Sequence, residues 1–185
     1  MKKAIIVVDM TKDNVTGIFE KLCEPIIPVI NKLTETFRKH NLPVIFANDS
    51  FFEDDFIFKG KMKPHSLKYT EGSEVTEKLI VKKGDIILPK RRFSAFFKTD
   101  LDMTLRTRKV EQVCVCGITS TFCVLATAFD AFCNDFATVI IEDATTAHKI
   151  EFHNQVMNFY RKNPLQPYFE IKTSEEIIKE IEENV

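Results

Sequence analysis

A thiol, a carboxylate and an ammonium each fall at the end of an apolar run in this 185-residue chain. The thiol is Cys123, within Val-Cys-Val-Cys-Gly-Ile-Thr-Ser-Thr-Phe-Cys-Val-Leu-Ala-Thr-Ala-Phe-Asp-Ala at 113–131. That stretch reads as a buried strand, a sharp glycine turn and a helix with Cys123 in its first turn. A helix N-terminus stabilises a thiolate, and several hydrolase folds present their nucleophile on such a crest. Asp9 closes the run Lys3–Val8, and Lys90 follows Ile86–Pro89. Singly, each has a plain explanation. Asp favours turns, a lysine beside Arg91 and Arg92 is ordinarily a solvated charge, and a lone cysteine is most often a packing thiol. Their conjunction points to nucleophilic catalysis, with an acid to move protons and a cation to favour the thiolate.

The elements that must position these groups follow from hydrophobic patterning. Lys3–Val8 is apolar and β-branched, a buried strand. Pro25–His40 carries Ile26, Ile27, Ile30, Leu33 and Phe37 at helical spacing. Pro43–Ala47 is a second strand, and 48–73 reads as a long functional loop. Lys78–Val81 and Asp85–Leu88 are short strand candidates split by Lys83-Gly84. Thr99–Arg108 reads as a helix, Val110–Cys116 as the central strand, Ser120–Cys133 as a helix, and Ala137–Ile141 as a strand ending in acids. Lys149–Lys162 is a helix and Tyr168–Ile171 a strand. The last helix starts at Thr173, with Glu176 in the capping-box position. Strands alternating with helices, several of them solidly hydrophobic, imply an α/β fold. The expected form is three-layer and doubly wound, with a mainly parallel sheet and helices on both faces. In such sheets reactive groups gather beyond the C-terminal ends of the strands.

Composition narrows the function classes. The length suits a single domain over residues 1–185. Basic and acidic residues nearly cancel, 26 against 27, for a net charge of -1, which leaves no nucleic-acid footprint and no polybasic membrane anchor. There is no signal-peptide pattern and no apolar segment long enough to span a bilayer, so a cytoplasmic location is expected. Five cysteines without disulfide-scaffold spacing suit a reducing compartment. Cys114 and Cys116 share one face of the central strand, and no second ligand pair accompanies them for zinc.

The chain resembles the isochorismatase-like cysteine hydrolases, which include nicotinamidases and N-carbamoylsarcosine amidases. The resemblance rests on Ile-Ile-Val-Val-Asp-Met at 5–10, Pro-Lys-Arg-Arg-Phe-Ser-Ala-Phe-Phe-Lys-Thr-Asp-Leu at 89–101, and Val-Cys-Gly-Ile-Thr-Ser-Thr-Phe-Cys-Val-Leu at 115–125. It implies a Rossmann-like fold, an Asp9-Lys90-Cys123 triad and a non-proline cis peptide at Ile118–Thr119. It also implies a homo-oligomer, dimer or tetramer, in which a neighbour's loops complete the pocket. Nicotinamidases of this family bind a metal through an Asp-x-His pair and a later His. Asp49 and His65 match two of those positions, but Phe51 stands where the first His belongs. Two ligands make a poor divalent site, so zinc or another divalent metal is disfavoured and no cofactor is required.

The chemistry expected of the triad is covalent amide cleavage. Cys123 attacks as a thiolate, favoured by Lys90 and the helix N-terminus. Asp9 takes the thiol proton and returns it to the departing amine. The backbone N–H groups of Thr119 and Cys123 form an oxyanion hole if the turn is tight. Phe19, Phe51, Phe93 and Phe122 are candidates for an apolar substrate pocket, and Arg91 or Arg92 for holding a substrate carboxylate. The partner is then a small-molecule amide or carbamoyl compound. Two other readings stand beside it. One is an isochorismatase-like vinyl-ether hydrolase, which has no need of a thioester. The other is a non-catalytic binding or assembly protein on the same fold.

Overall fold

The computed structural model describes residues 1–183. Its centre is a six-stranded sheet of order β3-β2-β1-β4-β5-β6, every pairing parallel. The strands are β1 (Lys3–Val8), β2 (Val44–Asp49), β3 (Ile86–Lys90), β4 (Gln112–Ile118), β5 (Ala137–Thr146) and β6 (Phe169–Lys172). The helices are α1 (Ile18–Cys23), α2 (Ile26–Lys39), α3 (Leu101–Thr107), α4 (Cys123–Cys133), α5 (Ile150–Arg161) and α6 (Ser174–Glu182).

Alternation along the central strands explains the layering. Ile5 and Val7 of β1, with Cys114 and Cys116 of β4, pack against α2 and α6. Ala4, Ile6 and Val8, with Val113 and Val115, pack on the other face against α3, α4 and α5. Both faces are covered, so β1 and β4 are apolar throughout rather than alternating with polar residues. The α6 start carries the capping box expected from sequence, Thr173 accepting from the Glu176 N–H while the Glu176 carboxylate accepts from Thr173 N.

The helices and strands expected from pattern are present, with ends shifted by a few residues. Lys78–Val81 is the exception, since no strand forms there. Ile80 and Val81 are exposed, and the segment is tied down instead by Asn31, which bonds Lys78 O and Ile80 N. The acids after the expected β5 lie inside a longer strand and have structural partners. Asp143 accepts from both Ser174 N and Oγ, and Glu142 pairs with Arg161.

The sheet order reverses between β1 and β4, one leading outward to β2 and β3, the other to β5 and β6. Such a switch point opens a crevice beyond the strand ends. Gly117 makes the close approach there possible. It has φ +101°, and an added Cβ would lie 2.2 Å from the Val8 carbonyl oxygen. Only glycine tolerates both conditions.

Candidate active site

The crevice is lined by the segments that leave β1, β2 and β4. Asp9 follows β1 with φ 55°, a left-handed turn that takes the chain off the strand. Asp49 ends β2, and Lys90 ends β3. The parallel register sets Asp49 opposite Lys90. Cys123 is the first residue of α4, after the turn that carries the cis peptide Ile118–Thr119.

The side chains converge. Lys90 Nζ lies 2.8 Å from Asp9 Oδ2 and 2.6 Å from Asp49 Oδ1, and donates to the Arg92 carbonyl at 3.1 Å. Asp9 Oδ1 accepts the Asp49 backbone N–H at 2.8 Å. Cys123 Sγ and oxygens of Asp9 and Asp49 lie within 4.8 Å of one another. A loose side-chain contact, not a short hydrogen bond, joins the thiol to Asp9. Asp9 and Lys90 have side chains 3% and 0% exposed, so their charges act in a low dielectric. The solvated-lysine reading of Lys90 is thereby set aside.

Burial dominates the proton affinities. It pushes the Asp9 carboxyl up to about 7, helped by the negative charge of Asp49 and opposed by Lys90. Burial alone would lower Lys90, but the Asp9 and Asp49 carboxylates outweigh it and hold the ammonium charged. Burial, then the charge of Asp9, raises the Cys123 thiol well above its ordinary range, and Lys90 only partly offsets them. This corrects the expected resting thiolate. A cation and a helix N-terminus favour the anion, but the two carboxylates in the same sealed space do not. The resting group is a thiol beside a carboxyl poised near neutrality.

The Thr119 and Cys123 backbone N–H groups donate to no acceptor among the described residues, while those of Ser120, Phe122 and Val124 are committed to Thr146 O and Thr119 O. Two backbone donors in the residues lining the cavity therefore have capacity to spare. A cavity of about 460 Å³ opens above the thiol, and Phe19, Phe51, Phe93 and Phe122 all line it. Phe93 and Phe122 stand with ring centroids 5.6 Å apart. Asp13 and Asn14, expected at the pocket wall, line it too, whereas sequence reasoning missed Ile57, Met62 and His148. Asp13 stands four residues after Asp9. Its Oδ2 accepts the Ser66 N–H at 2.7 Å, and an added Cβ on Gly72 would lie 2.1 Å from that same oxygen.

Arg91 and Arg92 do not reach this cavity. Both are held by the buried Asp55 carboxylate, at 2.5 Å from Arg91 Nη2 and 3.3 Å from Arg92 Nη1. Hydrogen bonding from Arg91 holds the Asp55 carboxyl down at about 2 despite its burial. The expectation that one of them holds a substrate carboxylate is therefore withdrawn.

Asp49 Oδ1 is engaged by the Lys90 ammonium. The Phe51 ring packs edge-on against Phe58 and His65, at centroid distances of 5.2 and 5.6 Å. His65 Nδ1 lies 2.9 Å from the Lys63 carbonyl, which makes that nitrogen the donor. The one group of three potential ligands among the described residues is Asp9, Asp49 and Cys123, and His65 is outside it. A divalent ion there would have to displace an ammonium already ion-paired to both carboxylates. These residues do not fit a metal.

Comparison with known proteins agrees with the fold. A family model described as the Isochorismatase domain matches residues 3–175. An N-carbamoylsarcosine amidase structure from Thermoplasma acidophilum superposes with a TM-score of 0.82 at 32% identity, covering 94% of this chain and 97% of that one. A nicotinamidase, PncA from Bacillus subtilis, does so with a TM-score of 0.77 at 31% identity, covering 93% and 99%. A pyrazinamidase of Pyrococcus horikoshii, solved in complex with zinc, gives 0.80 at 25% identity, covering 94% and 99%.

Proposed function

Because this chain belongs to the isochorismatase family of hydrolases, we propose that it cleaves the C–N bond of a small amide or carbamoyl compound through a thioester on Cys123. The observation that carries this reading is the sealed cluster of thiol, carboxyl and ammonium, with Asp9 oxygen and Cys123 Sγ within 4.8 Å and Lys90 Nζ 2.8 Å from Asp9.

The ionised Asp9 carboxylate takes the Cys123 proton as sulfur bonds to the substrate carbonyl carbon. The carbonyl oxygen becomes an oxyanion and accepts from Thr119 N–H and Cys123 N–H. One such donor typically contributes about 2.7–4 kcal/mol to the barrier. The intermediate collapses, the C–N bond breaks, and protonated Asp9 gives its proton to the leaving nitrogen. Water then attacks the thioester, with Asp9 again taking a proton. The C–S bond breaks, the acid product leaves, and the sulfur recovers the proton from Asp9.

Lys90 keeps its positive charge throughout. It restrains how far burial can raise Asp9 and stabilises negative charge as it passes between oxygen and sulfur. The thiol beside a base also favours amide cleavage over vinyl-ether hydrolysis, because only the former uses the sulfur as nucleophile.

Acid-quenched mixtures of enzyme and a primary amide should carry an acyl adduct on Cys123 by peptide mass spectrometry, with ammonia released in turnover. Cys123→Ala should fold normally and lose both signals. Turnover retained in Cys123→Ala would overturn the covalent route.

A further inference from the structure

A basic cavity of about 630 Å³ opens at the N-terminal ends of the strands, opposite the catalytic end. Its basic lining residues are Lys2, Arg38, Lys82, Lys83, Arg108 and Lys109, against a single carboxylate, Asp85. Arg38 and Asp85 cancel each other. Arg38 Nε and Nη2 lie 3.0 and 2.7 Å from the two Asp85 oxygens, and the Asp85 side chain is 4% exposed. The other five are exposed, and their side chains have no ion pair or hydrogen bond among the described residues. Glu111 accepts the Lys2 backbone N–H at 2.8 Å and leaves the Lys2 ammonium unpaired.

These groups come from four separate stretches of the chain, so a net charge of -1 and the absence of a long basic run conceal them. Lys2 precedes β1, Lys82 and Lys83 precede β3, and Arg108 and Lys109 join α3 to β4. Both α2 and α3 end at this pole, and a cation near a helix C-terminus is ordinary. That accounts for Arg38 and Arg108, but Lys2, Lys82 and Lys83 lie outside any helix.

Five like charges gathered on one cavity repel one another, and an anion carrying several charges relieves them together. The volume suits a small molecule. Lysine ammonium groups and an arginine fork both bind phosphate oxygens, and a phosphate chain concentrates several charges in such a space.

We propose that this cavity is a second ligand site, taking a small molecule that carries a chain of two or more phosphate groups. A six-residue strand, about 20 Å long, separates it from the catalytic end. The proposal stands independently of the thioester reading.

Equilibrium dialysis against tripolyphosphate at low salt should show one equivalent bound at saturation, weakening steeply as salt is raised. Citrate, which carries comparable charge without phosphate, should bind about 10-fold more weakly. ATP beside tripolyphosphate distinguishes the source. Tighter binding of ATP assigns a nucleotide, and equal or weaker binding an inorganic phosphate chain. No binding at about 1 mM, several equivalents bound, or citrate held as tightly would overturn the proposal.

Variants locate the site. Lys83→Gln with Lys109→Gly removes two of the cations. Lys109 has φ 56°, where glycine is the usual residue, so that change spares the fold. The pair should keep its Tm and weaken tripolyphosphate on the order of 10-fold. Lys32→Gln with Lys162→Gln removes the same charge from exposed positions outside the cavity, and should leave Kd within about twofold. Equal weakening by both pairs would reduce the effect to net charge and overturn the site. Cys123→Ala should bind as the wild type does, and loss there would place the ligand in the catalytic cavity and overturn it too.

Discussion

Lys90 Nζ sits 2.8 Å from Asp9 Oδ2, with the two side chains among the most completely sealed charges in the molecule. Asp49 approaches the same ammonium at 2.6 Å. One cation thus holds two carboxylates, and burial, helped by the charge of Asp49, lifts Asp9 to about 7.

Replacing the ammonium should reveal its cost and its benefit together. Lys90→Met leaves two buried carboxylates uncompensated, and breaking a buried pair this way costs about 3–5 kcal/mol. The loss depends on pH. As pH falls Asp9, already raised to about 7, takes up a proton and no longer needs the cation, so the deficit shrinks. Urea denaturation at pH 9 and pH 6 should show a larger deficit at the higher pH. Equal deficits would contradict the pairing.

Turnover should rise with pH through about 7. Asp9 acts as a base only when ionised, and its affinity is raised to about 7. Below that value kcat/KM should fall about tenfold per pH unit. Asp9→Asn should abolish turnover at every pH. The same shift has a thermodynamic consequence of opposite sign. The folded chain keeps a proton that the unfolded chain releases near pH 4. This group's contribution to stability is therefore full below about 4 and lost as pH rises through about 7. A kcat/KM profile flat from pH 5 to 8 would refute the assignment.

Gly117→Ala should be among the most damaging small substitutions. The new methyl group would meet the Val8 backbone at 2.2 Å, at a φ of +101°. Neither β1 nor β4 can yield at the centre of a sheet covered on both faces. A loss of about 3 kcal/mol or more is expected, with insoluble expression or a strongly lowered Tm. Gly60→Ala, where an added Cβ meets nothing within 4 Å, should change Tm little and serves as the control.

Activity should not depend on a divalent metal. Dialysis against a chelator should leave the rate within about twofold, because Lys90 already holds the carboxylates that would ligate the ion. Elemental measurement after zinc incubation and gel filtration should find well under one equivalent. Stoichiometric zinc with chelator-sensitive turnover would contradict the donor geometry.

Much of this molecule is legible along the chain. The six residues of β1 coincide with the apolar run Lys3–Val8, because a strand buried on both faces has no polar positions to blur its edges. The α6 boundary was legible because its capping box is local. Lys78–Val81 misled because short apolar runs on exposed loops look like strands. α1 left no periodicity, being only six residues long. At the site, the strand-end positions of Asp9 and Lys90 were readable, whereas the pairing of Asp49 with Lys90 left no signal along the chain.

What the sequence determined by itself was the alternation of strand and helix, and hence a covered parallel sheet whose strand ends carry an acid, an ammonium and a thiol. Those features depend on neighbours in the chain, through residue periodicity and turn chemistry. Tertiary structure alone decided that Asp49 and Asp9, 40 residues apart, meet on one lysine. It alone turned Arg91 and Arg92 away onto Asp55 and kept the resting sulfur protonated. Proton affinity depends on burial and on distances between remote residues, and no local pattern encodes it.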